Sequence, residues 1–124
     1  MTGEDRASFR PADFLALAER LYGAATGSED QAALRTVVSR AYYAAFLTWR
    51  EKVRERDPDY VARAGGAGIH AAVRRWLIHR GLARIAQRLS KLRDARDAAD
   101  YDLDVHFEAD DVRKYLGLAR ELVT

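Results

Sequence analysis

SRAYYAAF, residues 39–46, sets alanines at 41, 44 and 45 among the rings of Tyr42, Tyr43 and Phe46. Residues three and four apart share a helical face, so Ala41, Tyr42, Ala45 and Phe46 form one stripe: the alanines let a second helix approach closely, and the rings supply apolar area. The same spacing continues outward to Leu34 and Val38 on one side and to Trp49 and Val53 on the other. Its start is marked by Ser28 followed three residues later by Gln31, the pattern of a capping box. Its end falls at Asp57 and Pro58, because a residue before proline is pushed out of the helical region. At 1.5 Å per residue such a helix is about 40 Å long, a spine for a bundle rather than a connector.

Shorter helical patterns flank this spine. Pro11 suits a first helical turn, and Phe14, Leu15, Leu17, Ala18, Leu21 and Tyr22 follow before Gly23 and Gly27. After the spine, Asp59 to Ala64 reads as a short helical piece and GGAG, residues 65–68, as a flexible link. A third helix runs from Ile69 to about Arg80 with Val73, Trp76 and Leu77 on one face and Gly81 as its C-terminal cap. A fourth carries Ile85, Leu89, Leu92, Ala95 and Ala99. Beyond a connector near residues 102–107, the last carries Val112, Tyr115, Leu116, Ala119 and Leu122. No stretch alternates long enough for a strand, and no repeat is present. The expectation is an all-α, up-and-down bundle of about five helices forming a single domain over residues 1–124, with residues 1–10 a flexible N-terminal extension.

Composition removes several classes of function. The chain has no cysteine, which rules out a disulfide scaffold and a zinc–thiolate site and favours a cytoplasmic location. No apolar run approaches the ~18 residues of a membrane span, so no membrane partner is expected. GGAG is not a phosphate-binding loop, which needs a Gly-Lys-Ser or Gly-Lys-Thr ending after a strand. Asp100, Asp102, Asp104 and Asp111 have carboxylate spacing like that of a calcium loop. However, Val105 stands where that loop needs glycine, and Asp111 stands where it needs glutamate. His70, His79 and His106 are scattered without a metal-binding pair. Neither a metal nor a cofactor is expected.

The net charge is only +2, but it is unevenly spread. Residues 74–96 hold eight arginines and lysines against Asp94 alone; residues 97–111 hold seven acids and no arginine or lysine. The boundary falls inside LRDARDAADYDLD, residues 92–104, where helical spacing aligns Arg93, Asp97, Asp100, Tyr101 and Asp104 and sets Arg96 beside Asp100. Taken alone this is an ion-paired helix face, Arg93 with Asp97 and Arg96 with Asp100, each pair worth ~0.3 kcal/mol. Arg80, Arg84, Arg88 and Lys91 make a basic stripe that reads as a solvated face or as a nucleic-acid backbone contact. Arg40 is harder to place, since its turn is otherwise apolar and a buried guanidinium needs a carboxylate or a phosphate.

SRAYYAAF on a long second helix together with Arg96-Asp97-Ala98-Ala99-Asp100-Tyr101 on the fourth resembles the paired signatures of the HEPN family, especially its small single-domain bacterial and archaeal members. The similarity runs from about residue 33 to 122, and His70 matches a histidine that often opens the third helix in those proteins. The resemblance implies a HEPN-like bundle that forms a homodimer with the polar motifs of both subunits in a cleft. It further implies membership of a toxin–antitoxin or defence-type pair, with a minimal nucleotidyltransferase as antitoxin partner and RNA or a nucleotide as ligand. Many members are metal-independent RNA endonucleases whose motif is an arginine, four to six residues, then a histidine. Six residues separate Arg93 from Asp100 and four separate Arg96 from Tyr101, and the first histidine after them is His106. On this resemblance the catalytic candidates are Arg93, Arg96, Asp100 and Tyr101, the arginines holding phosphate and the other two orienting them or a ribose hydroxyl. The candidates for binding RNA or nucleotide are Arg40, Tyr43, His70 and His106. A non-catalytic interaction protein that pairs with the nucleotidyltransferase is the alternative reading.

Overall fold

The computed structural model describes residues 9–124, and among them there are six α-helices and no strand. They are α1 (Pro11–Ala24), α2 (Gln31–Arg56), α3 (Pro58–Ala64), α4 (Ile69–His79), α5 (Ala83–Tyr101) and α6 (Ala109–Val123), with a 3-10 turn over Gly27–Glu29 before α2. The expected flexible extension falls largely outside the described residues. Its last two, Phe9 and Arg10, are in place: the Phe9 ring meets Phe14 edge-on with centroids 4.5 Å apart, and Arg10 sits at the N-cap of α1. The helix count exceeds the expected five because Asp57 starts α3 in its own right, its carboxylate accepting from the Tyr60 amide at 3.4 Å.

The spine is where the periodicity placed it. The stripe of α2 (Leu34, Val38, Ala41, Tyr42, Ala45, Phe46, Val53) is buried and packs against α1, α5 and α6, with α3 and α4 closing its far end. Opposite it lie Leu89, Leu92 and Ala95 of α5 and Val112, Leu116, Ala119 and Leu122 of α6, all buried in the same core. Each buried leucine contributes about 1.5–3 kcal/mol of apolar transfer, which holds these short amphipathic helices together without a disulfide. Gly81 ends α4 as expected. At φ +78° it closes a Schellman pair, the Leu82 amide donating to the Leu77 carbonyl at 2.9 Å and the Gly81 amide to Ile78 at 3.2 Å.

The start of α2 departs from the expected capping box. Gly27, at φ +77°, throws residues 27–29 into a 3-10 turn, so Asp30 becomes the N-cap and accepts from the Ala33 amide at 3.4 Å. Ser28 and Gln31 turn instead to the other end of the chain. Gln31 Nε2 donates to the Phe107 carbonyl and Gln31 Oε1 accepts from the Phe107 amide, both at 2.8 Å. Ser28 Oγ accepts from the Ala109 amide at 2.8 Å and donates to Glu108 at 2.9 Å. This clamp ties the connector between α5 and α6 to the base of the spine, and with it the C-terminal end of α5.

Candidate functional site

The site forms where the aromatic turn of α2 meets the middle of α5. Tyr42 is buried in the core, and its ring stacks on Phe46 with centroids 5.6 Å apart. Its hydroxyl lies 3.1 Å from Nδ1 of His70, the second residue of α4. Burial pushes the Tyr42 phenol up to about 12, with Arg96 and Arg93 opposing. His70 is 9% exposed and is held down at about 4, first by burial and then by the positive charges of Arg93, Arg74 and Arg96. At neutral pH the imidazole is therefore uncharged.

Arg96 crosses from α5 onto this turn. Its guanidinium stands over the Tyr42 ring at 4.9 Å and the Tyr43 ring at 5.5 Å, and Nη1 donates to the Tyr43 hydroxyl at 3.4 Å. The carboxylate it meets is that of Asp97, at 3.1 Å, and its side chain is only 14% exposed. Arg40 packs against the other side of Tyr43, its guanidinium 5.1 Å from that ring and 4.8 Å from the ring of Phe14. It donates to Ser39 Oγ at 3.2 Å and, among the described residues, has no carboxylate partner. The need for an anion inferred for Arg40 is thus met only in part, by two aromatic faces. The Nε atoms of Arg93 and Arg96 are both buried without a hydrogen-bond partner among the described residues.

The sequence candidates separate into four places. Arg40, Tyr43 and Arg96 surround the aromatic turn, while Arg93 and His70 line a cleft between α4 and α5. Asp100 and Tyr101 are exposed at the end of α5, where they line a neighbouring polar cavity of about 560 Å³ together with Arg35, Ser39 and Arg40. His106 lies exposed on the following connector, 3.5 Å from Glu108. Neither expected ion pair, Arg93 with Asp97 or Arg96 with Asp100, forms among the described residues. Packing on Tyr42 and Tyr43 draws the Arg96 guanidinium inward, and Asp97, next in sequence, is the acid within reach. The basic stripe is likewise broken up: Arg88 pairs with Glu121 at 3.0 Å, and Arg80 lies over the Trp76 ring at 4.3 Å.

Comparison of the chain with protein-family models, with curated proteins and with solved structures returns no match.

One residue escaped the sequence reading. Arg35, one turn before Ser39, gathers carbonyls at the end of α5 and on its connector: Nη1 donates to Ala98 (3.3 Å), Ala99 (3.0 Å) and Asp102 (3.0 Å), and Nη2 donates to Val105. A fixed cation on the negative end of a helix is favourable on both counts. No local signal announces it, because its partners lie more than sixty residues away. Arg35 thus lines the polar cavity with its guanidinium taken up by backbone carbonyls, while that of Arg40, among the described residues, has only Ser39 and two aromatic faces.

Proposed function

We propose that this chain is a HEPN-like module of a toxin–antitoxin or defence-type pair, acting as a homodimer and binding the phosphate of RNA or of a nucleotide at the surface formed by Arg40, Tyr43 and Arg96. The observation that carries the reading is Arg96. A nearly buried guanidinium with one carboxylate beside it and an unpartnered Nε is short of acceptors, and a phosphate oxygen supplies them. Arg40 adds a second cation one tyrosine away, and the polar cavity beyond it offers Asp100 to a ribose hydroxyl and Tyr101 to a base.

The chemistry favours binding over cleavage. His70 is uncharged at neutral pH, with Nδ1 engaged by Tyr42, and no histidine stands beside Arg96 among the described residues to carry a proton. The test is fluorescence anisotropy with a labelled single-stranded RNA in the presence of EDTA. Wild type binds with an affinity that falls steeply with salt, and Arg96→Ala loses at least about tenfold. Equal binding by both proteins sinks the reading. RNA shortened by wild type and left intact by Arg96→Ala turns it into the metal-independent endonuclease.

A second reading is favoured by one observation. Tyr101, Leu103 and Val105 expose apolar groups within five residues at the end of α5 and on its connector, with Leu103 86% exposed. Clustered apolar exposure marks a contact for another protein, in keeping with a non-catalytic partner of a nucleotidyltransferase. Co-expression with the adjacent gene, followed by co-purification of wild type and Leu103→Asp, separates the two readings.

A further inference from the structure

The cleft between α4 and α5 has a different charge balance from the Arg96 surface. It encloses about 300 Å³, with His70 and Arg74 on the α4 side and Ser90, Arg93 and Asp94 on the α5 side. Arg96 has Asp97 at 3.1 Å. Arg74, Arg93 and Asp94, by contrast, form no ion pair among the described residues. The Arg93 Nε is buried without an acceptor. Asp94 and Arg74 are both exposed at the rim, where water screens their charges.

The donors of the cleft outnumber its one carboxylate, that of Asp94. Arg74 and Arg93 bring two planar forks, and Ser90 brings a hydroxyl. Tyr42 finds no acceptor for its hydroxyl proton among the described residues other than Nδ1 of His70. With that proton donated to Nδ1, the neutral imidazole carries its own on Nε2, which makes it one more donor. His70 also registers the excess charge, since after burial the largest influences holding its pKa down are Arg93 and Arg74, with Asp94 opposing them least. A carboxylate presents two oxygens; a phosphate presents three or four, enough for two forks, a hydroxyl and an imidazole.

We infer that the α4–α5 cleft is a second anion site, distinct from the Arg96 surface, which takes a phosphate group between Arg74 and Arg93 with Ser90 and His70 as neutral donors. The phosphate is that of a free ion, a nucleotide or a nucleic acid, all of which offer the same oxygens to the cleft. The inference does not rest on the proposed function, because its first probe is inorganic phosphate and its decisive variant, Arg74, lies outside the Arg40–Arg96 surface.

The experiment follows the His70 ring resonances by NMR while inorganic phosphate replaces chloride at constant pH and ionic strength. Wild type gives a saturable shift. Arg74→Ala, at an exposed position that does not threaten the fold, weakens saturation by about tenfold or more. Arg93→Gln does the same, and Arg63→Ala on α3 titrates as wild type. A shift that rises without saturating overturns the inference, as does one that is equally strong in Arg74→Ala. Adenosine monophosphate against adenosine, and a 5′-phosphorylated oligonucleotide against its unphosphorylated form, then identify the source. A response to the phosphorylated members alone assigns a phosphate monoester. A saturable response to the unphosphorylated oligonucleotide, again lost in Arg74→Ala, assigns a backbone phosphodiester, and both results support the cleft.

Discussion

The C-terminus and the middle of α5 place arginines in opposite ways. At its C-terminus Arg35 reaches across from α2 and spends its guanidinium on four backbone carbonyls. One to two turns earlier, Arg93 and Arg96 are drawn into the protein with Nε atoms that meet no acceptor. An arginine saturated by carbonyls is a fastener, whereas one buried short of acceptors adds little to stability or lowers it. The same side chain thus serves two purposes on one helix, and the difference lies in the surroundings rather than in the residue.

The comparison breaks most visibly with acid. The folded value of His70, about 4, lies below its ordinary 6.5, so on acidification the unfolded chain takes up the proton first. Stability linked to this histidine is complete above about pH 6.5 and is lost as pH falls toward 4, by on the order of 3 kcal/mol at most. Urea midpoints measured from pH 7 to pH 4 fall more steeply for wild type than for His70→Gln, which keeps an acceptor for Tyr42 but does not titrate. Parallel profiles would place the positive excess elsewhere.

Removing the fastener comes next. Arg35→Met frees the end of α5 and costs about 2 kcal/mol, read as a lower denaturation midpoint, while the folded variant still binds RNA through Arg96. Gln31→Ala, which cuts both bonds to Phe107 from the clamp beneath, costs about 1–2 kcal/mol and loosens the same end. The smallest change is expected where the buried guanidinium lacks acceptors: Arg96→Met shifts stability by under about 1 kcal/mol, in either direction, yet abolishes RNA binding. If Arg96→Met destabilises as much as Arg35→Met, the two arginines are both fasteners and the comparison fails.

Much of the fold was legible because helices are written locally. Leu34, Val38, Tyr42 and Phe46 recur at a spacing that only one helical face can satisfy, and the buried stripe of α2 follows it. Gly81 marked the end of α4 because only glycine takes its positive φ without strain. The Ser28–Gln31 box misled because its residue types suit a cap anywhere, while Gly27 had already turned the chain and a distant amide at Ala109 bid for the same hydroxyl. In the candidate site, helical spacing treated Arg93, Arg96, Asp100 and Tyr101 as one group. The structure divides them among a cleft, an aromatic wall and an exposed cavity.

Sequence by itself determined the helices, the long spine and which faces turn inward, since each depends on residues three and four apart. Only the tertiary structure decided which arginines are saturated and which are left wanting an anion. Arg35 finds its carbonyls and Arg96 its tyrosines across separations of fifty to seventy residues, and a guanidinium's charge balance is set by what packs around it in space.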